Sequence, residues 1–216
     1  MARVHIGNVY PSDEYLLKRC APAGHGLGTI GAYRQISSIA DLDDIVENGW
    51  YAIYSPNVLK LGGIVFNGLT LEVSMYSDMY GFQAARHLGI NGEMRRYMID
   101  SAWGEWEWES PPMVFGEEYR TIERWNGNPI YTTLISFGTL ASTQEVRTTE
   151  FTADSVVSIC GYMDGNCLPI INGTLDNVNS AWANASVSDG VVSASITCGS
   201  GMVGKSAHVQ VWYIKP

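Results

Sequence analysis

Glu123-Arg124-Trp125-Asn126-Gly127-Asn128-Pro129-Ile130-Tyr131 is the stretch on which the fold turns. Asn-Gly suits the two left-handed positions of a tight hairpin turn. Pro129 pushes Asn128 away from helical backbone. From Ile130 an alternating run follows, Ile130-Tyr131-Thr132-Thr133-Leu134-Ile135-Ser136-Phe137, with the period of a half-buried strand. The stretch reads as the joint at which one small β module hands over to another, with Trp125 and Tyr131 packing the start of the second.

Downstream of the joint, short alternating runs separated by turns predict an antiparallel sandwich over 113–216. Its strands are expected at Val156–Tyr162, Val191–Cys198 and His208–Ile214, with Val192, Ala194, Ile196 and Cys198 facing inward. The segment Asn172 to Asp189, rich in Asn, Ser, Asp and Ala, reads as a long loop region at one end of that sandwich. Upstream, 31–112 reads as a small α+β module. Ile39, Leu42, Ile45 and Val46 have helical spacing, with Ser38 or Asp41 as the cap. Strands follow at Trp50–Tyr54, Leu69–Met75, Tyr80–Arg86 and Glu93–Ile99, and Pro111-Pro112 closes the module. Residues 1–30 read as a lead-in whose short helix starts at Ser12 and runs through Tyr15, Leu16 and Leu17 to Arg19. About two turns long, it needs another surface or another chain to be stable. The expected fold class is thus mainly β: a helical lead-in, a small α+β module and a β-sandwich.

A chain of 216 residues with 46% hydrophobic residues can bury one large core or two small ones. Charge is sparse at 16%, while glycine (23) and tyrosine (12) are plentiful, which suits a β fold with many turns. The net charge of -9 argues against nucleic acid or anionic lipid as a partner, because both require clustered positive charge. No apolar run is long enough to span a bilayer, so no membrane insertion is expected. No apolar stretch follows Arg3, so the expectation is a chain made in the cytoplasm without a signal peptide. Cys160 and Cys167 could meet across a hairpin, but four scattered cysteines read first as thiols.

No residue pattern announces catalysis. The four histidines lie far apart and no metal spacing occurs, so neither metal nor cofactor is expected. Glu105, Glu107 and Glu109 alternate with Trp106 and Trp108 in a pattern that a glycosidase cleft would share. On a strand those acids would form a solvent face over a Trp-packed core. Two groups suit recognition better, since rings stack on sugars while amides and hydroxyls bond polar groups. One is Trp182 with Asn177, Asn179 and Asn184. The other is Tyr162, Asp164 and Asn166 in a glycine-bearing loop.

Several stretches resemble one family. Asn8-Val9-Tyr10-Pro11-Ser12-Asp13-Glu14-Tyr15-Leu16-Leu17-Lys18-Arg19 and Gly26-Leu27-Gly28 resemble the lead-in of tail-fibre proteins of phages and prophages. Asp41-Leu42-Asp43, Gly49-Trp50-Tyr51 and Trp103-Gly104-Glu105-Trp106 resemble a pyocin-knob module. Trp125-Asn126-Gly127-Asn128-Pro129-Ile130-Tyr131 with Phe137-Gly138-Thr139-Leu140 resembles the opening of a distal fibre head. The resemblance implies a homotrimeric fibre tip on the virion tail. It would bind a host cell-surface glycan or glycoprotein and sit beside other tail-fibre or baseplate proteins. A polysaccharide-degrading tip, with Glu105, Glu107 and Asp164 as acid and base, and a structural tail cap are the alternatives.

Overall fold

Strands account for almost all of the secondary structure. The structure, a computed structural model, describes residues 33–90, 92–168 and 180–216. The chain divides after Trp106 into two compact units. The expected lead-in helix lies outside the described residues.

The first unit is a meander. Strands β2 (Gly49–Leu61), β3 (Ile64–Ser77), β4 (Tyr80–His87) and β5 (Glu93–Ile99) pair antiparallel in sequence order. Strand β1 (Tyr33–Gln35) adds parallel to β2, and β6 (Ala102–Trp103) pairs β5. One face of the sheet is apolar, with Tyr51, Leu71, Ala85 and Met94 in one row and Ile53, Leu69 and His87 in another. Ile36, Leu42 and Ile45 are buried as well.

The helix expected from Ser38 to Val46 is instead a single 3-10 turn, Ile39–Leu42. The α+β reading of this unit is therefore corrected to an almost purely β one. The physical reason lies in the partners of its backbone groups. The buried Gln83 amide donates to the carbonyls of Leu42 (2.8 Å) and Ile45 (2.9 Å), oxygens that a continuing helix would need for its own ladder. At the other end the Asp41 carboxylate accepts from the Ser37 and Ser38 amides and from the Ser38 hydroxyl (2.7 Å). These bonds hold its carboxyl below the usual carboxylate range, the Ser37 amide contributing most.

Gln83 also anchors the closing tryptophans. Its Oε1 accepts from Arg96 Nη2 (2.8 Å), and Arg96 pairs with Asp43 at 2.6 Å. The Arg96 guanidinium lies 4.6 Å from the ring centroids of both Trp103 and Trp106. The two tryptophans thus clamp one buried arginine, and their spacing serves structure rather than recognition.

The second unit is a sandwich. Its larger sheet has the order β7 (Glu107–Ser110), β8 (Glu118–Trp125), β9 (Asn128–Thr139), β15 (Ser206–Ile214), β11 (Ser155–Met163) and β12 (Asn166–Leu168). The β7–β8 pair is parallel, so this sheet is mixed rather than wholly antiparallel. The smaller sheet is antiparallel in the order β10 (Gln144–Thr152), β14 (Val191–Cys198), β13 (Ala181–Ser188). Between them lies a core that includes Ile135, Phe137, Ile159, Val209, Val211 and Tyr213 from one sheet, and Ala183, Val192, Ala194, Ile196 and Cys198 from the other. The inward set expected for β14 is the one observed.

The stretch 123–131 forms the β8–β9 hairpin. Asn126 (φ 50°) and Gly127 (φ 83°) take the two left-handed turn positions. It lies inside the second unit rather than at the boundary, because Glu107 and Trp108 already belong there. Trp108 is buried edge-on against Tyr119, with ring centroids 5.7 Å apart. Tyr131 packs as expected, stacked on Tyr213 at 6.1 Å. Trp125 does not, being 49% exposed at the hairpin tip.

Residues 181–188, expected as loop, form strand β13. The signal was weak because the inward residues are alanines, which carry little β propensity. Packing requires them: a Cβ on Gly161 of β11 would meet the Ala183 Cβ at 2.5 Å. The two sheets approach too closely there for anything larger.

Candidate functional site

Strand β15 shows how the second unit builds a surface. Ala207, Val209, Val211 and Tyr213 point into the core and are buried, which turns His208, Gln210 and Trp212 onto the outer face of the larger sheet. Register sets their neighbours: Tyr162 and Ser136 flank His208, Cys160 and Leu134 flank Gln210, and Ser158 and Thr132 flank Trp212.

The segment after Pro111-Pro112 crosses this face. Phe115 bridges to Leu134, and Gly116 N donates to the Leu134 carbonyl at 2.9 Å. The Tyr119 hydroxyl accepts from Val114 N at 3.1 Å. Met113 adopts φ 52°, a left-handed backbone that is uncommon for a bulky side chain. Its sulfur accepts a hydrogen bond from Gln210 Nε2 (3.7 Å), which also donates to Thr132 Oγ1 (3.3 Å).

Two features result. The first is an aromatic row: Tyr162 stacks on His208 at 4.9 Å, and Phe115 meets the same imidazole edge-on at 5.6 Å. Burial pushes the His208 pKa down, so the ring is neutral at neutral pH. The second is a groove of about 270 Å³ lined by Trp108, Glu109, Pro111, Met113, Thr121, Ile122, Glu123, Thr132, Gln210 and Trp212. It is small for a ligand site, holds aromatic surface beside amide, hydroxyl and carboxylate groups, and suits one ring-sized group.

The residues expected from sequence divide between the two faces of the sandwich. Tyr162 joins the aromatic row. Asp164 and Asn166 form the β11–β12 turn, where Asp164 (φ 47°) and Gly165 (φ 80°) take left-handed positions. Asp164 pairs with Lys205 (2.8 Å) and accepts from Ser206 N (3.0 Å); these bonds, Lys205 foremost, hold its carboxyl below its ordinary range. Trp182 and Asn184 project from β13 on the outer face of the smaller sheet, beside Thr197 and Ser195. Asn177 and Asn179 lie outside the described residues. The groove residues Trp212, Gln210, Met113 and Glu123 were missed as a site, and Glu109 was read only with Glu105 and Glu107. The signal for Gln210 and Trp212 was the parity of β15, where polar and aromatic residues alternate with apolar ones.

The acids expected on a common solvent face do not share one. Glu107 is buried, and its carboxylate bonds Arg120 Nε (2.9 Å) and Arg124 Nη2 (2.6 Å). Strand β7 contributes both Glu107 and Trp108 to the interior, leaving Glu109 exposed. Among the described residues no group of three His, Cys, Asp or Glu could hold a metal ion, and no helix is long and apolar enough to cross a membrane.

No family model matches the chain, and no curated protein does. The solved structures similar to it are pyocin tail fibres. An N-truncated R2-type pyocin tail fiber is 10% identical at a TM-score of 0.29, over 85% of this chain and 98% of that one. A C-terminal portion of the P. aeruginosa R2 pyocin fiber is 11% identical at 0.29, over 87% of this chain and 68% of that one. The corresponding portion of the P. aeruginosa R1 pyocin fiber is 10% identical at 0.27, with the same coverage. Likeness at this level carries no argument about the fold or function of this chain, and both rest on its own residues.

Proposed function

We propose that the chain is the tip of a phage or prophage tail fibre, adhering to a polymer on the host bacterial surface through the groove on its second unit. The observation that carries this reading is the groove, a space of about 270 Å³ whose lining includes Trp212, Gln210, Thr132 and Met113. The strands on either side of the stretch that resembles a fibre head supply Thr121, Ile122, Glu123 and Thr132 to it. Indole faces stack on the apolar faces of sugars, while amides and hydroxyls bond their polar groups.

Binding takes place without cleavage. A glycosidase needs one carboxyl to give a proton and one to receive it or to attack. Of the three acids that the sequence offers for cleavage, Glu107 is held by two guanidiniums and Asp164 by Lys205, which leaves Glu105 without either as its partner in catalysis unless an ion pair breaks. The fibre acts as a homotrimer on the virion tail, beside other fibre or baseplate proteins, and weak contacts are multiplied across copies.

Co-sedimentation of the purified chain with host cell envelopes tests this. The expected result is retention without release of reducing sugar, weakened at least about tenfold by Trp212→Ala through loss of stacking and avidity. Released sugar would favour a degrading enzyme. No retention would favour a structural cap.

A further inference from the structure

The sheet of the first unit has a second face. Leu71, Ala85 and Met94 point to the buried side, so alternation turns Trp50 and Tyr54 of β2, Phe82 and Arg86 of β4 and Tyr97 of β5 to the other. Trp50, Tyr54 and Tyr97 are 44%, 46% and 49% exposed, and Ile99, of the same parity as Tyr97, is 62% exposed. Contacts between strands knit these side chains together. The Arg86 guanidinium lies 5.1 Å from the Trp50 ring centroid, and the Phe82 and Tyr97 rings are 6.4 Å apart. An antiparallel sheet that meets only water carries polar residues on that side. Exposed Trp, Tyr and Arg together are instead the composition of an interface centre. From the Tyr54 row to the Ile99 row, over four strands, the face measures roughly 14 Å by 27 Å, about 400 Å² in plane. Patches of that size on one chain mark interaction sites.

Charge selects the occupant. The chain carries a net charge of -9, so most approaches between two copies are repulsive. This face is balanced, with Arg86 and Arg95 against Glu72 and Glu93. Arg86 and Glu93 pair at 2.7 Å. The acids of the segment Asp41 to Glu47 lie on the other side of the sheet, where Gln83 and Arg96 hold that segment. A basic partner gains more from the acidic surfaces than from a neutral one, whereas a copy of the same acidic chain meets least repulsion here.

We propose that copies of the chain meet through this outer face of the first unit. The inference rests on the adhesion reading for the number of copies and on the face itself for their contact. In a closed homotrimer three such faces turn toward one axis, and each touches two neighbours. The first unit then assembles the copies, and the second carries the groove.

Sedimentation velocity of the full chain over a range of micromolar concentrations tests this. Tyr97→Glu and Tyr54→Glu each place an unpaired charge on the face, and urea denaturation checks that each variant is folded. Trp125→Glu, on the exposed hairpin of the second unit, is the control. The expected result is self-association of the natural chain, weakened at least about tenfold by either face variant and unchanged by the control. Association that survives both face variants overturns the proposal alone. So does an equal loss in Trp125→Glu, which would assign the effect to added charge anywhere. A natural chain that stays monomeric overturns it together with the avidity mechanism. Loss of envelope retention with association still sensitive to Tyr97→Glu removes the adhesion reading and upholds this contact.

Discussion

Arg96 illustrates how a single residue organises the first unit. It is 5% exposed, lies between the rings of Trp103 and Trp106, pairs with Asp43 and donates to Gln83 Oε1. Gln83 in turn fixes the backbone at Leu42 and Ile45. Arg96→Ala therefore removes the ring clamp and leaves a buried amide oxygen without its partner. Urea denaturation should show a loss of about 3 kcal/mol, the usual cost of breaking a buried charged network. Asp41 and Asp164 make a second prediction at this scale. Each carboxyl is held below its ordinary value of 3.8 in the folded chain. Each therefore contributes stability in full above that value, and the contribution is lost as pH falls through the depressed folded value. Melting temperature should fall on acidification below about pH 4, and Asp164→Asn should flatten part of that fall.

At the scale of elements, the β8–β9 hairpin and the contact of β11 with β13 carry the clearest tests. Gly127 sits at φ 83°, where a side chain strains the backbone. Gly127→Ala should cost about 1 to 2 kcal/mol by chemical denaturation, without altering envelope binding unless the hairpin shifts Glu123. Gly161→Ala should cost about 1 to 3 kcal/mol through overpacking against Ala183. Ala183→Gly on that background should recover part of the loss, because the two sites share one contact. The hairpin was legible in Asn126-Gly127 because turn chemistry is local. Strand β13 was not, because the reason for its alanines is a glycine on the opposing sheet. The helix expected from Ser38 failed for a similar cause: its spacing was helical, but a glutamine from β4 claimed the carbonyls.

At the scale of the whole molecule, adhesion by weak contacts requires several copies acting together. Light scattering of the purified chain should give three times its mass of 23.7 kDa, and a monomer at micromolar concentration would sink the avidity mechanism. The candidate binding face belongs to the second unit alone. It is assembled from the segment after Pro111-Pro112, the β8–β9 hairpin that follows it and the last strand, which is remote from both in the chain. Only part of such a surface can be read from sequence. Tyr162 belonged to one recognised group, yet its ring partner His208, and the Phe115 that meets the same imidazole, both lie far from it in the chain. The second group, around Trp182, falls on the opposite face of the sandwich.

The sequence by itself determined the mainly β class, most strand positions, the hairpin turn and the inward face of β14, because alternation and turn chemistry act over a few residues. Only the tertiary structure decided the rest. It showed that the helix expected from Ser38 stops after one turn, that Glu107 is held in a buried ion-pair cluster, and that β13 is a strand. It also brought Trp108, Met113, Glu123 and Trp212 to one groove. Each of those outcomes depends on a partner remote in sequence, and such contacts leave no local period to read.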